Sequence, residues 1–341
     1  MLSIEKGGCT IKSLLREKIE SAGEVRLIHI WPGWPITEQD LKLRVDISME
    51  PTPEKIRNLE VEQITKSVAG IQIPPQPTIL TEIRQEQSKK NPNFGVIASL
   101  ITRDVSLSAA ILKTINSPFY GLKTEIDSIK KAVLLLGINN VANLVTAMSV
   151  KNMLKGNASI VLGTFWESAS NVANISLLLA NRFYFSNPDG FYALGLFHDC
   201  GIPMLALKYN NYPEVLLLAE KGGRSVVSIE DEYYNTNHAI LGYYLCKSWR
   251  LVDVIAKVVQ GHHLVDSLFE GGKENHLRNQ MMAVLKMAGN INMTFQLKNI
   301  DPEWEKIHHK VVYLLGISDA EYEQIKVETH ELLGQQQSGG F

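Results

Sequence analysis

One adjacent pair of residues offers the functional groups from which a metal site could be built. His198 and Asp199 end the apolar run of Ala193-Leu-Gly-Leu-Phe-His-Asp-Cys-Gly-Ile-Pro-Met-Leu-Ala206, which Gly201 and Pro203 then break. An imidazole and a carboxylate delivered together at the end of a buried helix can both bind one divalent cation. The pair also has a structural use, with Asp199 accepting backbone N–H groups at a helix junction and His198 making a polar core contact. Taken alone, the residues favour that structural use. Other catalytic patterns are missing. The chain has no G-x-x-x-x-G-K-[ST], no G-x-G-x-x-G and no G-x-S-x-G, which excludes the common phosphate-cradling loops and the serine-hydrolase elbow. His308-His309 reads as a solvated face, and Lys130-Lys131 is too small a patch to imply nucleic acid.

The elements that would position this pair are almost all helical. From Pro77 onward, apolar residues recur at helical spacing in a chain of short segments. Asn93 caps one, Ser106 opens another, and Asp127 or Ser128 caps Ile129 to Leu136. Ile160 to Phe185 is long and regular enough for a central helix. Shorter helices follow near 190–199, 212–220, 225–233, 237–249 and 252–263, and then 277–295 and 302–333. Asn116-Ser117-Pro118 reads as a helix stop, not a nucleophile, since no base is placed to activate Ser117.

Residues 1–53 differ. Leu41, Leu43, Val45, Ile47 and Met49 alternate with Lys42, Arg44, Asp46 and Ser48, as in a half-buried strand, which predicts a small α/β or hairpin-bearing module. Residues 54–76 predict a linking helix and a Pro-rich lead-in, 77–333 the helical domain, and 334–341 a disordered tail. The expected fold class is mainly α, an irregular multi-helix domain rather than an up-down bundle.

Composition narrows the partners. The 341 residues are 45% hydrophobic and 21% charged, with 34 basic and 36 acidic residues well mixed for a net charge of −2. No basic stripe suggests nucleic acid, and no apolar run suggests a membrane span. Cys9, Cys200 and Cys246 form no C-x-x-C and read as free thiols, which suits a cytoplasmic location. The N-terminal Met-Leu-Ser-Ile-Glu-Lys lacks a charged region followed by an apolar core, so no signal peptide is expected.

Two stretches carry a resemblance. Asp104-Val-Ser-Leu-Ser-Ala-Ala-Ile-Leu-Lys-Thr-Ile-Asn-Ser-Pro-Phe-Tyr-Gly121, followed by Ile129-Lys-Lys-Ala-Val-Leu-Leu-Leu-Gly137, closely resembles the HDOD family of HD-related output domains. Ile73-Pro-Pro-Gln-Pro77 and Leu314-Leu-Gly-Ile-Ser-Asp-Ala-Glu-Tyr322 extend the similarity to roughly residues 70–333. Asp104, Asn116, Ser117, Tyr120, Gly121 and Gly137 are its structural motif residues, and Val105 departs from the proline usual there. The resemblance implies a helical relative of the HD-domain metal-dependent phosphohydrolases, HD-like in fold, used in bacterial signal transduction and generally without a full catalytic set.

That ancestry implies where further ligands would lie. His238 and His262-His263 stand where related hydrolases place additional histidines. The upstream histidine is absent, since Phe165 to Asn171 offers only Glu167, and Gly289 stands at the position of the late aspartate. His238 reads equally well as a cap-region residue, and His262-His263 as imidazoles favouring a helix C-terminus. A reduced site of His198, Asp199, His238 and one of His262 or His263 is the alternative to no site at all. The expectation is a non-catalytic regulatory protein with a signalling protein partner or a nucleotide or cyclic-dinucleotide ligand. No cofactor is expected. The alternative is a metal-dependent phosphohydrolase holding Fe, Mn, Mg or Zn.

Overall fold

The computed structural model of the chain describes residue 68 and residues 70–71, 73–153, 160–222, 224–264, 269, 275–298 and 301–338. The chain divides into Met1–Lys55 and Ile56–Phe341, and all of the described residues belong to the second unit. The strand-bearing module expected at 1–53, and most of the linking segment, lie outside the described residues. Among the described residues there is no strand.

α1 (Thr78–Gln87) starts directly after Pro77, with no side-chain cap. α2 (Phe94–Thr102) starts as the sequence predicts, where a side chain satisfies its open N–H groups: Asn93 Oδ1 accepts from Gly95 and Val96 at 2.8 and 3.2 Å. α3 (Val105–Ile115) begins at Val105 rather than Ser106, because Asp104 accepts the Leu107 N–H at 2.9 Å. Val105 is therefore the first helical residue, a position where proline is also at home because the N–H there has no helical partner. Asn116 closes the following loop through Ile126, donating to its carbonyl and accepting its N–H, both at 2.8 Å. A single 3-10 turn, Pro118–Tyr120, ends at Gly121 with φ +62°. α4 (Ile129–Leu136, capped by Ser128) and α5 (Ile138–Met153) complete this half.

The second half is layered around α6 (Ile160–Arg182), whose Val172, Ala173, Ile175, Leu177, Leu179 and Ala180 are buried. Against it lies α7 (Pro188–Phe197), buried along its whole length from Asp189. The approach is close enough to require Gly195, since a Cβ there would stand 2.6 Å from the Ala173 Cα. Gly201 and Pro203 do not break the chain as expected. They start α8 (Gly201–Lys208), because a proline in the first turn forfeits no helical bond. Pro188–Lys208 is apolar and long enough to cross a bilayer by composition, yet its most apolar 18-residue window is 72% buried inside the domain. The remaining helices are α9 (Tyr212–Gly222), α10 (Val226–Tyr234), α11 (His238–Ser248), α12 (Asp253–Gly261), α13 (His276–Leu297), α14 (Pro302–Leu315) and α15 (Asp319–Ser338). α15 runs past Gly334, where the sequence suggests a frayed tail. His308 is not on a solvated face: it bonds Asp319 at 3.0 Å and packs on Trp304 and Tyr322, while His309 is exposed.

The motif tyrosine ties the two halves together. Tyr120 OH donates to Asp189 Oδ1 at 3.0 Å, in the first turn of α7. Burial pushes the Asp189 carboxyl from 3.8 up to about 6, against the opposing hydrogen bond from Tyr120. A carboxyl raised on folding stabilises the native state fully below its unfolded value and loses that contribution as pH rises through its folded value. Domain stability should thus fall between about pH 4 and pH 6 by an amount of order 3 kcal/mol from this group. Asp189→Asn, which keeps an acceptor for Tyr120, is expected to flatten that slope and to stabilise the protein at pH 7. Urea unfolding at both pH values checks this, and an unchanged slope in the variant would refute it.

Candidate metal centre

Four helix ends deliver the site. α7 ends at Phe197, so His198 and Asp199 leave the buried face at the turn into α8. α11 opens with His238, capped by Asn237 accepting the Ile240 N–H at 2.9 Å. α12 ends at Gly261 and releases His262 and His263. The four meet because Gly201 lets α8 touch the first residue of α11: a Cβ on Gly201 would lie 2.1 Å from the His238 carbonyl oxygen.

His198 makes the polar contact expected of it, with the Gly195 carbonyl, but the partners of Asp199 are side chains and not backbone N–H groups. The Asp199 carboxylate faces imidazoles. Its Oδ1 lies 3.0 Å from His262 Nε2 and 3.4 Å from His238 Nε2, and its Oδ2 lies 3.0 Å from His198 Nε2. His263 Nε2 lies 3.0 Å from His238 Nε2. Ligand atoms of Asp199, His238, His262 and His263 all fall within 4.8 Å of one another. Both residues of the 262–263 pair are therefore present where the sequence suggested one, and His198 stands beside the group on the other carboxylate oxygen.

The opposite ring nitrogens explain why this is a donor set. Nδ1 of His198 bonds the Gly195 carbonyl and Nδ1 of His262 the Val259 carbonyl, each at 2.7 Å. Nδ1 of His238 bonds Glu230 Oε2 and Nδ1 of His263 bonds Glu303 Oε1, each also at 2.7 Å. A carbonyl or carboxylate only accepts, so each Nδ1 carries the proton and a neutral ring presents its Nε2 lone pair inward. Four Nε2 atoms and a carboxylate then point at one another, an arrangement that requires either a proton, as on His238, or a cation among them. Metal–ligand bonds of about 2.0–2.2 Å place neighbouring donor atoms about 3.0–3.5 Å apart. Three of the separations, Asp199–His262, Asp199–His238 and His238–His263 at 3.0 to 3.4 Å, match those edges, the other pairs lie within 4.8 Å, and an outer acceptor on every ring is the usual support of metal-binding histidine. The residues fit a metal.

Charge and burial agree with this. Burial, followed by neighbouring His263, holds His262 well below the usual imidazole range; burial, followed by Lys286, does the same for His263. Both are neutral near pH 7, the form that binds metal. Burial also depresses His238, but Glu230 outweighs it and lifts the ring to about 9, so a metal would displace a proton there. Burial alone would raise Asp199, yet His198, His262 and His238 together hold it well below the usual carboxylate range. His238 and His262 side chains are 0% and 3% exposed, against 26% for Asp199 and 18% for His263, so the centre opens to solvent on the Asp199–His263 side.

Several supporting residues were not legible as such. Glu230, fully buried, holds both the His238 ring and its backbone N–H (2.9 Å), and accepts from Tyr212 OH at 2.5 Å. Its spacing from Tyr234 on the buried face of α10 was the available signal. Glu303 and Lys286, joined at 2.5 Å, gave none: one reads as an ordinary first-turn acid, the other as a surface lysine. Glu167 is exposed and bonded by Gln337, and Gly289 has no atom within 4 Å of where its Cβ would be. Asp266, close in sequence to His263, lies outside the described residues.

Comparison with known proteins gives a consistent picture. The sequence model of the HDOD domain matches residues 73–265. An uncharacterised protein of Treponema pallidum (strain Nichols) is 22% identical over 292 residues, covering 80% of this chain and 53% of that protein. The chain thus spans about half the length, or less, of the curated relatives it matches. A Shewanella amazonensis SB2B structure named for a candidate metal-dependent phosphohydrolase aligns with TM-score 0.56 at 17% identity, covering 80% of this chain and 99% of its own. One from Marinobacter aquaeolei VT8, named for a candidate signal transduction protein, aligns with TM-score 0.57 at 18% identity, covering 86% and 66%. At these identities the structures establish a shared fold.

Proposed function

Because this chain belongs to the HDOD domain family, we propose that it is a cytoplasmic signal-transduction domain whose pocket holds one divalent metal and presents it to a phosphate-bearing small ligand. The observation that carries this reading is the convergence of Asp199, His238, His262 and His263 with an outer acceptor already bonded to every ring. Three imidazoles and one carboxylate suit Zn, Fe or Mn better than Mg, which prefers oxygen ligands and water. The part-exposed Asp199 and His263 are where a nucleotide or cyclic-dinucleotide phosphate would approach the metal. Buried Cys200 and Cys246 thiols are in keeping with a reducing compartment. A signalling protein reading the occupied state completes the proposal.

A second reading, hydrolysis of the phosphate ester, is favoured by the same open side. A bound metal with a free position supplies a Lewis acid and an activated water. The absent upstream histidine and the glycine at 289 weigh against it, because a hydrolytic metal site needs enough protein ligands to hold its geometry around an open position. Elemental analysis of the purified protein, followed by a thermal shift and a phosphodiesterase assay over a cyclic-dinucleotide panel in Mn²⁺ or Fe²⁺, separates the two. About one equivalent of metal with a ligand-dependent shift and no turnover is the expected result. Metal-dependent turnover would establish the second reading, and protein without bound metal under any of these conditions would overturn both.

A further inference from the structure

His262 and His263 leave the end of α12 side by side, and adjacent side chains on helical backbone point about 100° apart, so aiming both at one ion takes a separate hold on each ring. His262 is aimed by its own helix, through the Val259 carbonyl three residues back. His263 has no such local acceptor. Its Nδ1–H goes to Glu303, 40 residues onward in the first turn of α14. Glu303 is itself fixed from several sides. Its Oε2 accepts from Lys286 on α13 at 2.5 Å, and its N–H donates to the cap residue Asp301 at 2.8 Å. The Asp301 N–H in turn donates to Asn290 Oδ1 on α13 at 3.1 Å. The helix that by resemblance would supply an acid at Gly289 therefore sends a buried lysine, and the acid comes from the next helix.

We infer that Glu303 is the positioning residue that decides whether His263 joins the metal shell, with Lys286 fixing the carboxylate oxygen that His263 does not use. This rests on the reading of the pocket as a metal centre. Two donors, the His263 Nδ1–H and the Lys286 ammonium, require two acceptor oxygens. A carboxylate supplies both, whereas a carboxamide supplies one. The number of protein ligands on the ion is thereby set by how α14 docks on α13, outside the run of sequence that carries the histidines.

A double-mutant cycle on the full chain, titrated with Co²⁺ and read by its visible absorption, tests this. Glu303→Ala is expected to weaken Co²⁺ binding roughly 10–100-fold, the usual cost of an outer partner, and to give the same altered spectrum as His263→Ala. Adding Glu303→Ala to His263→Ala should weaken binding no further, because the glutamate acts only through that ring. Glu303→Gln, with one acceptor oxygen, should fall between wild type and Glu303→Ala, and it carries the test if the alanine variant does not fold. Additive losses, or a Glu303 variant with wild-type affinity and spectrum, would overturn the inference while leaving the metal centre standing. Failure of the wild-type chain to bind Co²⁺ would overturn the centre itself.

Discussion

Asp199→Ala is expected to abolish metal binding and with it the thermal stabilisation that metal confers, while the metal-free variant stays folded. Asp199 is the one carboxylate among the four donors, and its oxygens face three imidazole rings. Its loss removes a ligand and also the negative charge nearest the ion, leaving a divalent cation among neutral rings in a buried site, which is strongly unfavourable. The loss should exceed the roughly 100-fold upper end for an outer partner. In wild type, metal at a thousand times its dissociation constant adds about 4 kcal/mol to the stability, and this increment should vanish in the variant. Unfolding curves with metal and with chelator measure both quantities. The structural alternative gives a different pattern. If Asp199 only anchored buried hydrogen bonds, its removal would destabilise the chelated protein by about 3–5 kcal/mol and leave no metal increment in either protein.

Gly201→Ala is expected to be the most disruptive single methyl group in the domain. The added Cβ would lie 2.1 Å from the His238 oxygen and 2.7 Å from its carbonyl carbon and Cα. These are backbone atoms that cannot rotate aside, so α8 and α11 must separate. Overpacking of this kind costs about 1–3 kcal/mol, and more where nothing yields. The separation also moves His238 away from Asp199, so metal affinity should fall together with stability. Gly289→Ala is the matched control. Its Cβ meets nothing within 4 Å, and inside α13 alanine should be better than glycine by up to about 1 kcal/mol. Urea midpoints of the two variants, each with and without metal, should move in opposite directions. Equal midpoints would mean that α8 and α11 are not in the contact described.

The fold was largely legible because its helices are amphipathic and capped by side chains a few residues away. Asn93 and Ser128 act on N–H groups two or three residues ahead, and their roles follow from neighbours in sequence. The failures were also local in appearance. Pro203 looks like a breaker until it is known to fall in a first turn, and Asp104 caps α3 two residues before the serine that seemed to open it.

By itself, the sequence determined the helical class, the helix boundaries to within a residue or two at most ends, and the identity of five residues able to ligate a metal. Through the resemblance it also shows Glu167 and Gly289 where the family would place an upstream histidine and a late aspartate. Only the tertiary structure decided that His262 and His263 both turn inward, that His198 faces the second oxygen of Asp199, and that Glu230 and Glu303 hold the rings. The physical reason is range. A cap or a helical period is set by residues three or four apart, whereas the direction of an imidazole lone pair is set by whatever accepts its other N–H. For His263 that acceptor lies 40 residues away on another helix.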